Sequence, residues 1–421
     1  MKKLLFAAVA LTAAAAMAAK DKIATLQLAP MDKLVQTVGK LAEMSGNASL
    51  GMMAAASLPT SPATNFCGSS RVVVTGDKDK KELAEMFDTE YEKGVAVLPD
   101  GVFARFTLAE ASRAYIEKML DTAVAEKDIT RAEADEAVAY LKGFSGGVLD
   151  IAVSDAGVSL LADMKFADGS KMLGFRRCSL DSKPLSPISG APLAAGATSG
   201  KYGLEPVEMF NRILAILAKH GVAGFDGVKA SMEGCVNRFD IDAKRIVAWC
   251  KDEKNKAAIA KVDGDKIEKD FESLKSEACT GFKHGEGRTF LAVYMAGAKG
   301  GESASAALAR ILPESSSVKK CFGAFIVKYY SLLKTVFAAV AGDATVDSDG
   351  LLKQILPTLP SDAGSGVAGI YWMEGGSVKM LVRFSAGEIK GIGTSIAGFS
   401  AAFAMKAAAA TIEEDEEDDD D

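Results

Sequence analysis

The amino-acid sequence predicts an α+β fold of two lobes, each an antiparallel sheet that is built from hairpins and packed by helices. Three observations indicate this fold. Turn motifs rich in Gly, Asp and Pro separate stretches in which apolar and polar residues alternate, as in sheets with one buried face. Helix-start signals precede stretches with apolar residues at helical spacing. The chain of 421 residues also exceeds what one hydrophobic core usually holds, which favours two domains.

The first 19 residues are typical of a secretory signal peptide. A basic start, Met1-Lys2-Lys3, precedes an apolar run over residues 4–15, and Ala16-Met17-Ala18 fits a cleavage site. The apolar run is too short to span a bilayer. No cysteine follows the cleavage region, so the sequence shows no lipid attachment site there. We therefore expect a periplasmic or secreted mature protein.

The first lobe, residues 20–182, is predicted to place hairpins beside helices. Strands are predicted where apolar residues cluster between turn residues, and helices where apolar residues recur every three or four positions. The predicted elements are, in chain order, a strand at residues 23–28, a helix from Pro30, a strand at 71–75, a helix at 80–91, a hairpin at 95–107, helices at 108–126 and 131–142, and a hairpin at 148–166.

Two capping boxes mark helix starts in this lobe. Thr107 with Glu110, and Thr130 with Glu133, each place a hydroxyl acceptor and a returning carboxylate on a first helical turn. In the hairpin around Asp155-Ala156-Gly157, apolar residues at even positions alternate with more polar residues at odd positions. One face of this sheet is therefore expected to be buried, and the other to face solvent.

A segment rich in Pro and Gly, residues 183–203, is predicted to link the lobes. The second lobe covers residues 204–410. Its predicted elements are a helix at 206–221, a hairpin at 235–250, two helices between 252 and 278, a strand at 289–295, a helix at 317–340, a hairpin at 367–384 and a helix from Ser385 to about residue 410. Both lobes run from a helix pair into a hairpin, over residues 108–166 and 303–384, which suggests an internal duplication.

Apolar and polar residues alternate along the second strand of the last predicted hairpin. Its apolar residues are predicted to face the core, and Lys379 and Arg383 to face solvent. The apolar set consists of Val378, Met380, Val382 and Phe384. In the final helix, the uncharged residues 391–405 are too few and too polar for a membrane span, so none is expected after signal cleavage.

Six cysteines follow the predicted signal peptide, and an even number favours disulfides in an exported protein. A hairpin with a turn at Asp242-Ala243 would place Cys235 opposite Cys250; the alternative is two buried free thiols. If that pair forms, the simplest remaining pairs are Cys67 with Cys178 and Cys279 with Cys321. Zinc is disfavoured because the chain has no CxxC motif and only two histidines.

The net charge of the chain is -7, and its acidic excess lies in the nine acids of the C-terminal tail, residues 411–421, which is expected to be disordered. Without the signal peptide and the nine acids of this tail, the chain has 47 basic and 47 acidic residues. Binding to nucleic acid or to an anionic membrane is therefore disfavoured. The tail attracts cations and could bind Ca²⁺ weakly, with no other cofactor expected. Its acids are Glu413, Glu414, Asp415, Glu416, Glu417, Asp418, Asp419, Asp420 and Asp421.

Three motifs match catalytic or metal-binding patterns only in part. Residues 143–147 spell GxSxG, but Ser145 follows a predicted helix and precedes a strand, the reverse of a nucleophile elbow. Ser331 and Lys334 form SxxK within a predicted core helix. Asp347 and Asp349 resemble an EF-hand loop, yet its twelfth position is Leu356, which favours a loop that enters a helix.

The two histidines have structural interpretations. His220 ends a predicted helix, where the helix dipole favours a cationic imidazole. His284 lies in a glycine-bearing loop, residues 281–287, for which the alternatives are an exposed binding loop and, as the preferred interpretation, a plain turn before a strand. No GxGxxG or Walker loop is present, so nucleotide binding has no support.

Strand and turn patterns resemble those of the large, uncharacterised exported proteins of planctomycete and verrucomicrobial-type bacteria. The similar segments are Leu28-Ala-Pro-Met-Asp-Lys-Leu-Val, Leu149-Asp-Ile-Ala-Val-Ser-Asp-Ala-Gly-Val with the following Phe166-Ala-Asp-Gly-Ser, and the closing hairpin and helix. The resemblance implies a two-lobed α+β fold, and no activity is established for that group.

The first hypothesis for function is an exported, non-enzymatic binding or cell-envelope protein, whose exposed sheet faces or groove between lobes hold an envelope protein or an apolar ligand. The alternative is a periplasmic or secreted hydrolase whose catalytic groups converge only in the folded chain. A serine near His220 or His284, or a cluster of carboxylates in a deep pocket, would favour the hydrolase. A shallow groove without such a cluster would favour binding.

Overall fold

The computed structural model describes residues 21–417 apart from 47, 78–79, 81–82, 178–179, 202, 281–282, 297–300, 343–346 and 348–349. Its strands are β1 (Asp21–Leu28), β2 (Ser70–Gly76), β3 (Phe87–Lys93), β4 (Val102–Leu108), β5 (Phe144–Ser154), β6 (Gly157–Phe166), β7 (Ala194–Lys201), β8 (Val228–Glu233), β9 (Val236–Ile241), β10 (Lys283–Met295), β11 (Gly323–Val327), β12 (Val367–Glu374) and β13 (Ser377–Ser385).

The described α-helices connect these strands. They are α1 (Met31–Met44), α2 (Ala48–Ser57), α3 (Leu83–Met86), α4 (Ser112–Ala125), α5 (Arg131–Leu141), α6 (Pro206–Lys219), α7 (Ala243–Lys251), α8 (Glu253–Ile259), α9 (Gly264–Thr280), α10 (Ala304–Ile311), α11 (Tyr329–Val340), α12 (Leu351–Ile355) and α13 (Ala386–Glu417). Across the part of the chain that is described, none of them combines the length and the apolar character that a membrane span requires.

The strands form one mixed sheet of 13 strands, in the order β3-β2-β1-β4-β5-β6-β13-β12-β11-β7-β10-β9-β8. Neighbouring strands are antiparallel except β9 and β10, which are parallel. The mixed α/β character was predicted, but the two separate sheets were not observed. The halves join where β6 pairs with β13, with Leu161 opposite Leu381.

The segment predicted as a linker contributes a strand to this sheet. Within residues 183–203, β7 lies between β10 and β11. Its small residues indicated a linker, but Ala195 and Ala197 are buried in the largest core cluster, together with Ala304 and Ala307 of α10. Small side chains on both elements let this helix pack closely on the strands.

The main core lies on the face of the sheet that was expected to face solvent. Arg383 is 9% exposed, and its guanidinium donates to Ser159 Oγ, the Ile311 carbonyl and the Glu314 carboxylate. On the predicted core face, Phe384 is 36% exposed. The prediction was wrong for Arg383 and Phe384 because α10 and residues 313–317 cover the side of β13 that carries Arg383. Val378 and Val382, in contrast, are buried as predicted.

Several local patterns formed the predicted elements. Thr130 and Glu133 make both hydrogen bonds of the capping box that starts α5. The hairpins β5-β6 and β12-β13 form around Asp155-Ala156 and Gly375-Gly376. These elements depend on contacts within a few residues, which explains why the sequence pattern alone identified them.

Other predictions were wrong because pairing between distant residues overrode the local pattern. The predicted helix at 80–91 is the short α3 followed by β3, which pairs with β2. The predicted helix at 317–340 contains β11, since a short buried apolar run fits either a strand or a helix. Thr107 lies in β4, so no capping box forms there, and α4 begins at Ser112. Residues 95–98 form no strand.

Candidate functional site

On the face of the sheet opposite α10, apolar residues alternate along the strands β4, β5, β6, β11, β12 and β13. Directly paired residues point to the same face, so the register defines two neighbouring rows. Row A consists of Phe106, Leu149, Ala162, Met380 and Tyr371. Row B consists of Ile151, Leu160, Val382, Gly369 and Phe325.

Helices leave much of this apolar face uncovered. Phe106 is 38% exposed, and Leu149, Leu160 and Met380 are half-buried. Under α10, on the other side of the sheet, Ile326 is 0% exposed. The apolar face at the centre is therefore partly open, although Ala162, Val382 and Gly369 in the middle of the rows are buried. Exposed apolar patches often mark binding sites.

Tyr371 places one polar group at the end of row A. Its ring centroid lies 6.1 Å from those of Phe322 and Phe325. Burial raises the pKa of Tyr371, so the hydroxyl stays protonated at neutral pH. Within the described part of the chain this hydroxyl makes no hydrogen bond. The arrangement can hold an apolar molecule and donate one hydrogen bond to it.

The opposite face carries a charged groove of about 460 Å³ in the N-terminal half. Arg105 donates two hydrogen bonds to Asp150, at 2.6 and 2.7 Å, and this interaction raises the pKa of Arg105. Ser145 also lines the groove. Since Asp150 is already bound by a guanidinium, it is poorly placed to act as a general base.

His220 ends α6, as predicted, and lies in a polar cluster with Lys219 and Asp270. Its Nε2 lies 2.9 Å from Asp270 Oδ2, and Lys219 Nζ lies 2.7 Å from the same oxygen. Hydrogen bonds from Lys219 and, to a smaller extent, from His220 lower the pKa of Asp270. Neither ring nitrogen of His220 contacts a serine, threonine or cysteine side chain of the described residues, so the histidine–carboxylate pair lacks a nucleophile.

His284 lies in β10, where its backbone pairs with that of Gly200, so the predicted turn at residues 281–287 is wrong from residue 283 onward. The strand is extended because β7 offers it a pairing partner. Residues 281 and 282 lie outside the described residues.

The predicted cysteine hairpin does not form. Asp242 is the N-cap of α7 and accepts a hydrogen bond from the Arg245 backbone, so residues 243–251 are helical instead of extended. The strand opposite β9 is β8, so Cys235 is at the β8-β9 turn and Cys250 is in α7. Both are exposed free thiols. The prediction of a disulfide was wrong because Asp242, at the predicted turn, caps a helix instead.

The other predicted disulfides are also not observed. Cys67 and Cys321 are free thiols, Cys178 lies outside the described residues, and Cys279 is near the end of α9. Burial raises the pKa of Cys321 to about 11, which keeps its thiol protonated and unreactive at neutral pH.

The partial motifs adopt structural roles. Ser145 follows α5 and is the second residue of β5, the order that argues against a nucleophile elbow. Ser331 contacts Ser365, whereas Lys334 donates to the Pro360 carbonyl, so the SxxK pair does not act together. The carboxylate of Asp347 accepts hydrogen bonds from the backbone of Gly342, Leu352 and Lys353, as in a loop that enters a helix.

The acidic tail is only partly described. Helix α13 continues to Glu417, beyond its predicted end near residue 410, in a segment rich in Ala and Glu, which are good helix formers. It thus includes Glu413 to Glu417, and Asp418 to Asp421 lie outside the described residues. Weak Ca²⁺ binding by the tail stays a prediction. Elsewhere in the described chain, no three His, Cys, Asp or Glu side chains form a group that could hold a metal ion.

Comparison of this chain with protein-family models, curated proteins and solved structures finds no match. The case for function therefore depends on the geometry of the sheet. Sequence patterns indicated the alternation in β6 and β13, but they did not indicate Phe106, Phe325 and Tyr371 as parts of one surface. Only the order of the strands brings these three residues together, because they belong to β4, β11 and β12.

Proposed function

We propose that this protein is an exported, non-enzymatic binding protein that holds an apolar ligand against the apolar face of its central sheet. One observation carries the proposal: rows A and B form a continuous apolar surface that the helices leave partly exposed. The predicted signal peptide supports a place in the periplasm or outside the cell. A binding role also agrees with the charged groove, where Arg105 and Asp150 neutralise one another.

The dimensions of the surface favour a long acyl chain as the ligand. Each row crosses four interstrand spacings of about 4.8 Å, or about 19 Å, and together the two rows extend from β4 to β11. An acyl chain in one bilayer leaflet extends over about 15 Å, half the hydrocarbon thickness. A single chain can therefore lie along the rows at full length. The Tyr371 hydroxyl could donate a hydrogen bond to a polar group of the ligand.

We also propose that the sheet arose by internal duplication, which makes the binding surface symmetric. The series β4-α4-α5-β5-β6 has the same order as β11-α11-α12-β12-β13, and the sheet order of the two series is mirrored. Leu161 and Leu381, which face each other, are each the fifth residue of their strands. A two-fold axis at this pair exchanges row A with row B, and Phe106 with Phe325.

Two neighbouring residues in β6 provide a matched test of the ligand site. Leu160 belongs to row B, and Leu161 points to the opposite face with 41% exposure. Burial of a Leu or Phe side chain contributes about 1.5–3 kcal/mol. We expect Leu160→Ser and Phe106→Ser to weaken binding of a fluorescent long-chain fatty acid about 10- to 100-fold, measured by fluorescence titration.

Leu161→Ser is the control and should bind the probe as the wild type does. Circular dichroism of all three variants shows whether the fold is retained. Equal weakening by Leu161→Ser and Leu160→Ser, or no binding of the probe by the wild type, would contradict the proposed function.

A further inference from the structure

The side chains of helix α2 that the structure describes are exposed and carry no charge. Met52 and Met53 are 70% and 67% exposed, and Ala55, Ala56 and Ser57 are exposed as well. Adjacent residues of a helix point about 100° apart, so the two methionines cover different sides of α2. A helix that is apolar all round is normally surrounded by other apolar groups.

The chain around α2 contains no charge. Residues 44–70 include no Asp, Glu, Lys or Arg, although a quarter of the whole chain is charged. Charged side chains are costly in the hydrocarbon region of a bilayer, and none is present here to oppose insertion. The lack of basic residues also removes any preference for anionic lipids.

A second uncharged segment borders the base of α2. Helix α13 packs against the end of α1 so closely that a Cβ at Gly393 would clash with the Ser45 carbonyl oxygen. One turn further along α13, Ile396 is 62% exposed. Residues 391–405 of this helix carry no charge either. The uncharged surface therefore extends from α2 onto its neighbour.

We propose that α2 inserts into the acyl-chain region of an electrically neutral lipid surface. Its 10 residues extend about 15 Å, which matches one leaflet and is half of what a span needs. An uncharged helix without a polar face suits the interior of a leaflet better than the plane of the headgroups, where amphipathic helices lie. Insertion of α2 does not require the ligand proposed for the sheet.

Tryptophan substitutions test the insertion directly. Met52→Trp places a fluorophore on α2, and Met119→Trp is the control because Met119 is 48% exposed on α4. Vesicles of zwitterionic phosphatidylcholine should shift the emission of Met52→Trp to the blue, and brominated acyl chains should quench it. Emission of the wild type, from Trp249 and Trp372, is subtracted. The control should show neither effect.

A charge substitution measures the binding itself. One Asp at a helix centre in a bilayer costs about 2.5–3.5 kcal/mol, and 1.4 kcal/mol corresponds to a factor of 10. Met52→Asp should therefore reduce co-sedimentation with phosphatidylcholine vesicles at least 10-fold, whereas Met119→Asp should not. Since Met52 is exposed, the variant should keep the circular dichroism spectrum of the wild type. Unchanged Trp emission with vesicles, or binding only to anionic vesicles in a salt-sensitive manner, overturns the proposal.

Discussion

Glu388 is fully buried in the first turn of the C-terminal helix. Its backbone N–H donates to Ser385 Oγ, and its carboxylate accepts a hydrogen bond of 2.7 Å from the backbone N–H of Tyr330. Burial raises the pKa of Glu388 more than this hydrogen bond lowers it. One buried carboxyl group thus joins the N-terminal ends of α11 and α13.

The raised pKa predicts how stability depends on pH. Above the ordinary carboxyl value of 4.5, the folded state holds the Glu388 proton more tightly than the unfolded state does, so the group's contribution to stability falls as pH rises. We expect the free energy of unfolding of Glu388→Gln, relative to the wild type, to increase with pH above 4.5. Urea denaturation across a pH series measures the difference, and a constant difference would contradict the prediction.

Glu388→Ala is the companion variant. It leaves the buried N–H of Tyr330 without its acceptor, and an unsatisfied buried donor costs about 1–3 kcal/mol. We therefore expect Glu388→Ala to be less stable than Glu388→Gln at every pH.

At the scale of single elements, α5 starts at a complete capping box. Thr130 Oγ1 accepts from the backbone N–H of Glu133, and the Glu133 carboxylate accepts from the backbone N–H of Thr130. Glu133 also contacts Lys275 of α9 at 3.0 Å. The hydrogen bond from the Thr130 backbone, followed in size by the one from Lys275, lowers the pKa of Glu133 to about 2. One side chain thus caps a helix and connects the two halves of the chain.

The capping box should contribute measurably to stability. We expect Thr130→Ala to reduce the free energy of unfolding by about 1 kcal/mol, the usual effect of losing such a cap. Glu110→Ala is the control, because the sequence motif of Thr107 and Glu110 forms no cap. The measurement is urea denaturation at neutral pH. Equal losses in the two variants would show that the box has no special role.

Glu133 also makes the stability of the protein depend on pH in the acidic range. Since its pKa is lowered in the folded state, its contribution is present above the ordinary value of 4.5 and is lost as pH falls toward about 2. We expect the stability difference between the wild type and Glu133→Ala to shrink over that range of pH. A difference that grows on acidification would contradict this assignment.

At the scale of the whole molecule, the continuous sheet predicts that the two halves unfold together. They share the β6-β13 ladder, in which Leu381 is 9% exposed and Leu161 is 41% exposed. Replacing a buried Leu by Ala costs about 2–5 kcal/mol. We expect Leu381→Ala to lower the hydrogen-exchange protection of Val73 in β2 and Val293 in β10 by equal free energies.

Leu161→Ala is the control from the same pair and should have a smaller effect, because its side chain buries less surface. Loss of protection at Val293 alone would show that the two halves are separate cooperative units.

The sequence predicted only the part of the candidate site that depends on local patterns within single strands. The alternation in β6 and β13 identified Leu160 and Met380 as members of an apolar face, since this signal lies within a few residues. Phe106 was assigned to a local hairpin, and Phe325 to a helix. Their place in one surface depends on β4 pairing with β5 and β11 pairing with β12, across about 40 residues of intervening chain. No local sequence pattern indicates which distant strands pair.

By itself, the sequence determined the mixed α/β character, the two tight hairpins and the Thr130 cap, because turn geometry and capping depend on neighbouring residues. Tertiary structure alone decided that the strands form one sheet, that Cys235 and Cys250 lie apart, and which face becomes the core. Those outcomes depend on which distant strands pair and where α10 packs. That packing covers the face that carries Arg383 and leaves Phe106 exposed on the apolar face.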